Sequence, residues 1–192
     1  MITGGMFSGK SEELIRRIRR AEIARQRTQI FKPLIDDRFE LKRVISRDNR
    51  GMDAIAVHNS SDLRANIVFG VKVVGIDEVQ FFDDEIVSVC MELADGGVRV
   101  IAAGLDQDYL RRPFGPMPAL LAVAEDVSKM HAVCVRCGGL AHYTQRVAGG
   151  NSQIEIGDGT YEARCRVCYE RYQANEAPTQ EADEPRDVAI TR

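Results

Sequence analysis

Apolar residues recur at helical spacing soon after the start of the chain: Leu14, Ile15, Ile18 and Ala21 mark one face, and Glu12 and Glu13 would occupy the first turn. Thr28–Lys32 then reads as a strand stopped by Pro33, since proline restricts the residue before it. Asp48–Met52 carries turn formers, Ala54–Val57 reads as a short strand, and Ser61-Asp62-Leu63 opens a helix. Two β-branched runs, Val71–Ile76 and Val98–Ala103, have the near-continuous apolar character of parallel strands buried on both faces. Between them the pattern predicts a helix with Asp83 as N-cap, Ile86, Val89, Cys90 and Leu93 inward, and Gly96-Gly97 as its stop. The segment from Pro113 to Pro118 is a rigid connector, Ala119–Glu125 a short helix and Val127–Val133 a last strand. Only Met1, Ile2 and Thr3 precede the first loop, whereas strands usually run about five or six residues. The first strand is therefore clipped, either because the native start lies upstream or because a short strand suffices.

The pattern predicts an α/β fold: residues 1–133 form a domain with a central parallel sheet flanked by helices, which the glycine-rich phosphate loop Gly4–Ser11 makes a P-loop nucleotide-binding domain, and residues 134–172 form a small cysteine-bearing domain. Residues 173–192, rich in Glu, Asp, Pro and Ala, are expected to be a disordered tail. Composition excludes little else. With 192 residues, 44% hydrophobic and 29% charged, the chain has enough apolar material for one core and a small appendage. No apolar run approaches the roughly 18 to 20 residues that span a bilayer, and no export signal opens the chain, so the expected location is the cytoplasm. A net charge of −3 gives no global attraction to nucleic acid. Arg16, Arg17, Arg19, Arg20, Arg25 and Arg27 crowd the first helix and its exit, where a solvated face or an oligomer contact is the favoured reading.

The chemistry begins at Gly4-Gly5-Met6-Phe7-Ser8-Gly9-Lys10-Ser11, which follows the phosphate-loop pattern G-x-x-x-x-G-K-[ST]. Backbone N–H groups of such a loop face phosphate oxygens, Lys10 supplies a charge, and the Ser11 hydroxyl can bind Mg2+. The run ending at Ile76 gives way to Asp77-Glu78, as expected where a parallel strand opens into an active site. Asp77 would hold Mg2+, and Glu78 would face the nucleophile, because adjacent residues of a strand point to opposite sides. The loop Gly104–Tyr109 should border the same cleft, with Asp106 as a rival base. Arg38 is the arginine of a charged loop, Ile35–Phe39, that could stabilise a transferring phosphoryl group. His58, with no second ligand type nearby, reads as a surface or capping residue.

Cys134-Val135-Arg136-Cys137 and Cys165-Arg166-Val167-Cys168 are two C-x-x-C knuckles, together the ligand set of a closed tetrahedral zinc site. The strand-like runs His142–Gln145 and Gln153–Ile156, joined by Gly149-Gly150-Asn151, read as a ribbon inserted between them. Four cysteines leave no open coordination position, so the metal would order the polar loop Gly157–Tyr161 and take no part in the reaction. Cys90 reads as core.

The phosphate loop, the segment Asp77-Glu78-Val79-Gln80-Phe81-Phe82, the stretch Gly104–Tyr109 followed by Pro113-Phe114-Gly115, and Tyr161–Cys168 closely resemble the zinc-containing (type II) thymidine kinases, over roughly Ile2 to Tyr169. The resemblance implies transfer of the ATP γ-phosphate to the 5'-hydroxyl of thymidine, with Glu78 as general base, Asp77 on the magnesium side, and structural zinc. It implies ATP contacts from Gly4 to Ser11 and from Arg38, Asp77, Glu78, Val79 and Gln80. It places Phe81, Leu105, Tyr109 and Phe114 around the nucleoside, with Tyr161 and the backbone of Ile154, Glu155, Ile156 and Gly157 closing over the base. It further implies a cytoplasmic homotetramer inhibited by the triphosphate of its product pathway. Gly5 and Tyr109 depart from the residues common in that family, and the stretch from Gln145 to Gly157 differs in length and composition.

Two other readings compete. A nucleic-acid-dependent ATPase or DNA-binding module is disfavoured by the acidic balance and the lack of a basic, aromatic-rich ribbon. A nucleoside monophosphate kinase with a zinc-held lid would need several arginines around its acceptor, and residues 104–118 offer only Arg111 and Arg112.

Overall fold

The computed structural model describes residues 1–34, 43–45, 51–148 and 159–175. In chain order the first half contains β1 (Ile2–Gly4), α1 (Lys10–Ile23), β2 (Thr28–Pro33), β3 (Arg43–Ile45), β4 (Gly51–Asp53), β5 (Ile55–Val57), α2 (Ser60–Ala65) and β6 (Val73–Ile76). Then come a 3-10 turn (Val79–Phe81), α3 (Ile86–Asp95), β7 (Arg99–Gly104), α4 (Met117–Val123) and β8 (Ser128–Met130). The cysteine module holds β9 (Ala132–Val133), β10 (Leu140–Ala141), β11 (Tyr143–Arg146), β12 (Tyr161–Arg164) and α5 (Arg166–Asn175). Arg38, residues 153–156 with the expected backbone contacts at Ile154, Glu155, Ile156 and Gly157, and the tail beyond Asn175 lie outside the described residues.

The β-branched runs become the centre of a six-stranded sheet, order β5-β2-β6-β7-β1-β8, in which every pairing is parallel. Alternation in β6 sends Val73 to the α1 face, with Leu14, Ile15, Ile18 and Ala21, and Val74 and Ile76 to the face covered by α2, α3 and α4. The short β1 is compensated by its position: it pairs with β7 on one side and β8 on the other, and Ile2 is fully buried. Arg16, Arg19, Arg20, Arg25 and Arg27 are exposed, while Arg17 reaches Glu13 and Ser128. No helix among the described residues is long and apolar enough to cross a membrane.

Several local expectations change. Pro33 ends β2 inside the sheet, opposite Val57, because a strand's last residue can do without its N–H. Gly51 and Met52, read as the end of a turn, belong to a strand, Gly51–Asp53, that pairs with β3. Asp83 does not cap α3; its carboxylate accepts from the backbone N–H and hydroxyl of Ser60, tying α2 to the loop before α3. Helix α4 begins at Met117, with Pro118 inside its first turn, where a missing N–H costs no helical bond. The run 127–133 divides at His131: β8 closes the parallel sheet, and β9 pairs antiparallel with β10. Val127 and Val133, at the ends of the run, are both exposed. Among the described residues β11 pairs with β12, and α5 continues past Tyr172 to Asn175, into the expected tail.

Candidate active site

The phosphate loop leaves β1 through Gly4, whose φ of 145° is open to glycine, and a Cβ there would lie 2.3 Å from the Met130 carbonyl oxygen. Phe7 and Gly9 are left-handed, and Gly9 N-caps α1 without any side-chain cap, so the first turn of the helix keeps its N–H groups for an anion. The loop is braced from inside: the carbonyl of Gly5 accepts from Ser8 Oγ and from Lys10 Nζ, both at 2.8 Å. It is also braced from the cysteine module. The Met6 N–H donates to Thr144 Oγ1 at 3.0 Å, a bond across 138 positions of chain that no local sequence signal announces.

Ser11 and Asp77 meet as expected, the hydroxyl donating to the carboxylate at 3.0 and 3.3 Å. Asp77 is buried, and burial followed by the charge of Glu78 pushes its carboxyl up to about 7, against the opposing pull of Ser11 and Lys10. Burial likewise lowers Lys10, while Glu78, Asp77 and Asp106 hold its proton on. The buried Asp77 carboxylate and the partly buried Ser11 hydroxyl, beside Lys10, make a hard-oxygen pair that could hold a divalent cation.

The two carboxylates diverge, but not through strand pleating. β6 stops at Ile76, and Glu78 adopts φ 51°, ψ 40°, a left-handed conformation that non-glycine residues enter rarely and that occurs disproportionately at functional sites. Its carboxylate accepts from Gln80 Nε2 at 2.5 Å, and Gln80 Oε1 accepts from the Leu105 N–H at 3.0 Å. Gln80, read from sequence as an ATP contact, thus links Glu78 to the Gly104 loop. Gly104 makes room for it, because a Cβ there would come within 2.8 Å of both Gln80 Oε1 and Val79 Cγ1. Asp106 is buried and ion-paired with Lys129 at 2.8 Å.

Of the expected nucleoside walls, Phe81 and Phe114 pack edge to face with centroids 5.3 Å apart. The Tyr109 carbonyl accepts from the Tyr169 hydroxyl at 2.7 Å, and the Arg146 guanidinium lies 3.7 Å from the centroid of the Tyr109 ring. Tyr161 is the first residue of β12 and is buried. Arg111 pairs with Glu170 and stacks over Tyr169, which makes it a fastening of the loop to α5. The Asp108 carboxylate accepts from the N–H groups of Leu110 and Arg112, an Asx-type staple within that loop. His58 is an exposed residue whose N–H donates to Asp62.

The ligand atoms of Cys134, Cys137, Cys165 and Cys168 all lie within 4.8 Å of one another, close enough to hold one metal ion. Burial opposes ionisation of Cys134, yet backbone N–H groups around its sulfur outweigh that and bring the thiol down to about 6, while the crowding of the neighbouring sulfurs pushes Cys168 up to about 12, so the four thiols share their protons as one group. Cys90 stands apart in the main core, its thiol pushed up to about 12 by burial.

A parallel sheet, a phosphate loop braced at β1 and a four-cysteine module define a P-loop nucleotide-binding protein with an appendage whose cysteines could hold a metal ion. The family model described as thymidine kinase matches residues 1–169. A thymidine kinase of Porphyromonas gingivalis is 51% identical over 172 residues, covering 89% of this chain and 84% of the relative. Those of Bacteroides thetaiotaomicron (49%, covering 89% and 86%) and Bdellovibrio bacteriovorus (52%, covering 86% and 82%) are similarly close. The chain belongs to the thymidine kinase family.

Proposed function

We propose that this protein phosphorylates thymidine with ATP, giving dTMP and ADP. The observation that carries this reading is the divergence of Asp77 toward Ser11 and Glu78 toward Gln80, beside the phosphate loop of a chain in this family. The 5'-hydroxyl oxygen forms a bond to the γ-phosphorus as the bond from that phosphorus to the bridging oxygen breaks, and Glu78 accepts the hydroxyl proton. Residues Gly4 to Ser11 hold the phosphates, with Lys10 neutralising charge. Ser11 and Asp77 would hold Mg2+, which supplies charge neutralisation to the triphosphate when bound. Arg38, and the backbone from Ile154 to Gly157, are assigned to the phosphates and the base by resemblance. Val79, whose side chain is in the core, is assigned to ATP through its backbone.

Phe81, Leu105, Tyr109, Phe114 and Tyr161 form the nucleoside pocket in this reading, and the four cysteines bind a structural Zn2+ that orders the module carrying Tyr161. A cytoplasmic homotetramer with feedback by the product-pathway triphosphate completes the reading. The test is ADP release measured over a panel of nucleosides and nucleoside monophosphates, with and without DNA. Turnover confined to thymidine and close analogues, indifferent to DNA, is the expected result; turnover with monophosphates only, or only with DNA, would overturn it.

A further inference from the structure

Arg146 and Tyr161 stand directly opposite each other in the β11–β12 ladder. Cross-strand partners in such a ladder interact face to face, and here Arg146 Nη2 donates to the Tyr161 hydroxyl at 2.9 Å with its guanidinium 5.4 Å from the ring centroid. The same guanidinium covers the ring of Tyr109 at 3.7 Å. Tyr109 belongs to the loop after β7, on the sheet domain, whereas Tyr161 and Arg146 belong to the cysteine module. One cation therefore holds two aromatic rings from separate parts of the fold. Tyr169, next to Cys168, fixes the other end of Tyr109 by donating to its carbonyl.

We propose that Arg146 is a positioning residue of the nucleoside pocket, stacking Tyr109 against the cysteine module and Tyr161 so that the two walls are set together. The inference rests on the proposed reading of Tyr109 and Tyr161 as pocket walls. A planar guanidinium suits the task because it can stack on one ring while its edge donates to the other residue's hydroxyl, which an ammonium cannot reproduce. Through this contact, order in the cysteine module reaches a residue that no cysteine touches in sequence.

The test is steady-state kinetics on the full, metal-bound chain, with thymidine varied at saturating ATP and the reverse. Arg146→Met should raise thymidine KM about 3- to 30-fold, with ATP KM and metal content unchanged. Tyr109→Leu should raise thymidine KM as well, and the double variant should be no worse than the more severe single one, since Arg146 acts through Tyr109. Multiplying effects would overturn the proposal by placing Arg146 on the ligand itself. Unchanged thymidine KM in Arg146→Met, with a raised value in Tyr109→Leu, would overturn it while leaving the pocket standing. Unchanged KM in both Tyr109→Leu and Tyr161→Leu would overturn the pocket reading itself. If Arg146→Met fails to fold or to hold metal, Arg146→Lys serves in the same cycle: it keeps the charge but lacks the stacking plane, and a wild-type thymidine KM there would overturn the proposal.

Discussion

Gln80 donates from Nε2 to Glu78 at 2.5 Å and, with the other end of the same amide, accepts the backbone N–H of Leu105. Gln80 as a whole is 2% exposed, so neither bond is easily replaced by water. It fixes the proposed base relative to a loop that carries a proposed nucleoside wall.

Gln80→Ala should therefore lower kcat by about tenfold or more, the order expected when a hydrogen bond to a charged group is lost in a buried setting. Stopped-flow or steady-state turnover with thymidine checks it; ATP KM should move little. Wild-type kcat would show that Glu78 is oriented by its left-handed backbone alone.

Glu78→Gln preserves shape and removes the proton acceptor, so kcat should fall by about 10^2 to 10^4 while ATP and thymidine still bind. The rival, Asp106, is held by Lys129, and Asp106→Asn should affect folding stability more than turnover. Near-normal turnover in Glu78→Gln together with loss of activity in a folded Asp106→Asn would move the base to the Gly104 loop.

Cys165→Ser should leave three thiolate ligands, lower metal content, and raise thymidine KM more than ATP KM, because β12 and Tyr161 directly precede that cysteine. Elemental analysis and kinetics on the same preparation check it. Full activity without stoichiometric metal would remove the ordering role.

Glu13 tests the electrostatics of α1. Hydrogen bonds first from Arg16 and then from Arg17 hold its carboxyl down at about 2, from an ordinary 4.5. A depressed carboxyl stabilises the fold above the unfolded value and loses that contribution as pH falls through the folded one. The gap in Tm between wild type and Glu13→Gln should thus be present at pH 7 and shrink between about pH 5 and pH 2. Because Arg16 is 55% exposed, solvent screening keeps the effect small. A gap independent of pH would assign the effect to packing.

Sequence by itself determined the elements whose signals are local. The phosphate loop must precede a helix, and Leu14, Ile15, Ile18 and Ala21 recur at the period of that helix and are buried. The β-branched runs ending at Ile76 and Ala103 lie where all-parallel pairing buries both faces, and two C-x-x-C knuckles suffice to name four cysteines that the fold gathers. Only the tertiary structure decided which polar groups serve one another. Asp83 looked like a cap because it stands before a helix, but its carboxylate accepts from the backbone N–H and hydroxyl of Ser60. Glu78 looked like the next residue of a strand, but the chain leaves the strand at Ile76 and turns left-handed to present it to Gln80. The bonds of Thr144 to Met6, Tyr169 to Tyr109 and Arg146 to Tyr109 join residues far apart in the chain. Hydrophobic periodicity says which face is buried, whereas side-chain partners depend on how distant segments are brought together, and no local pattern encodes that.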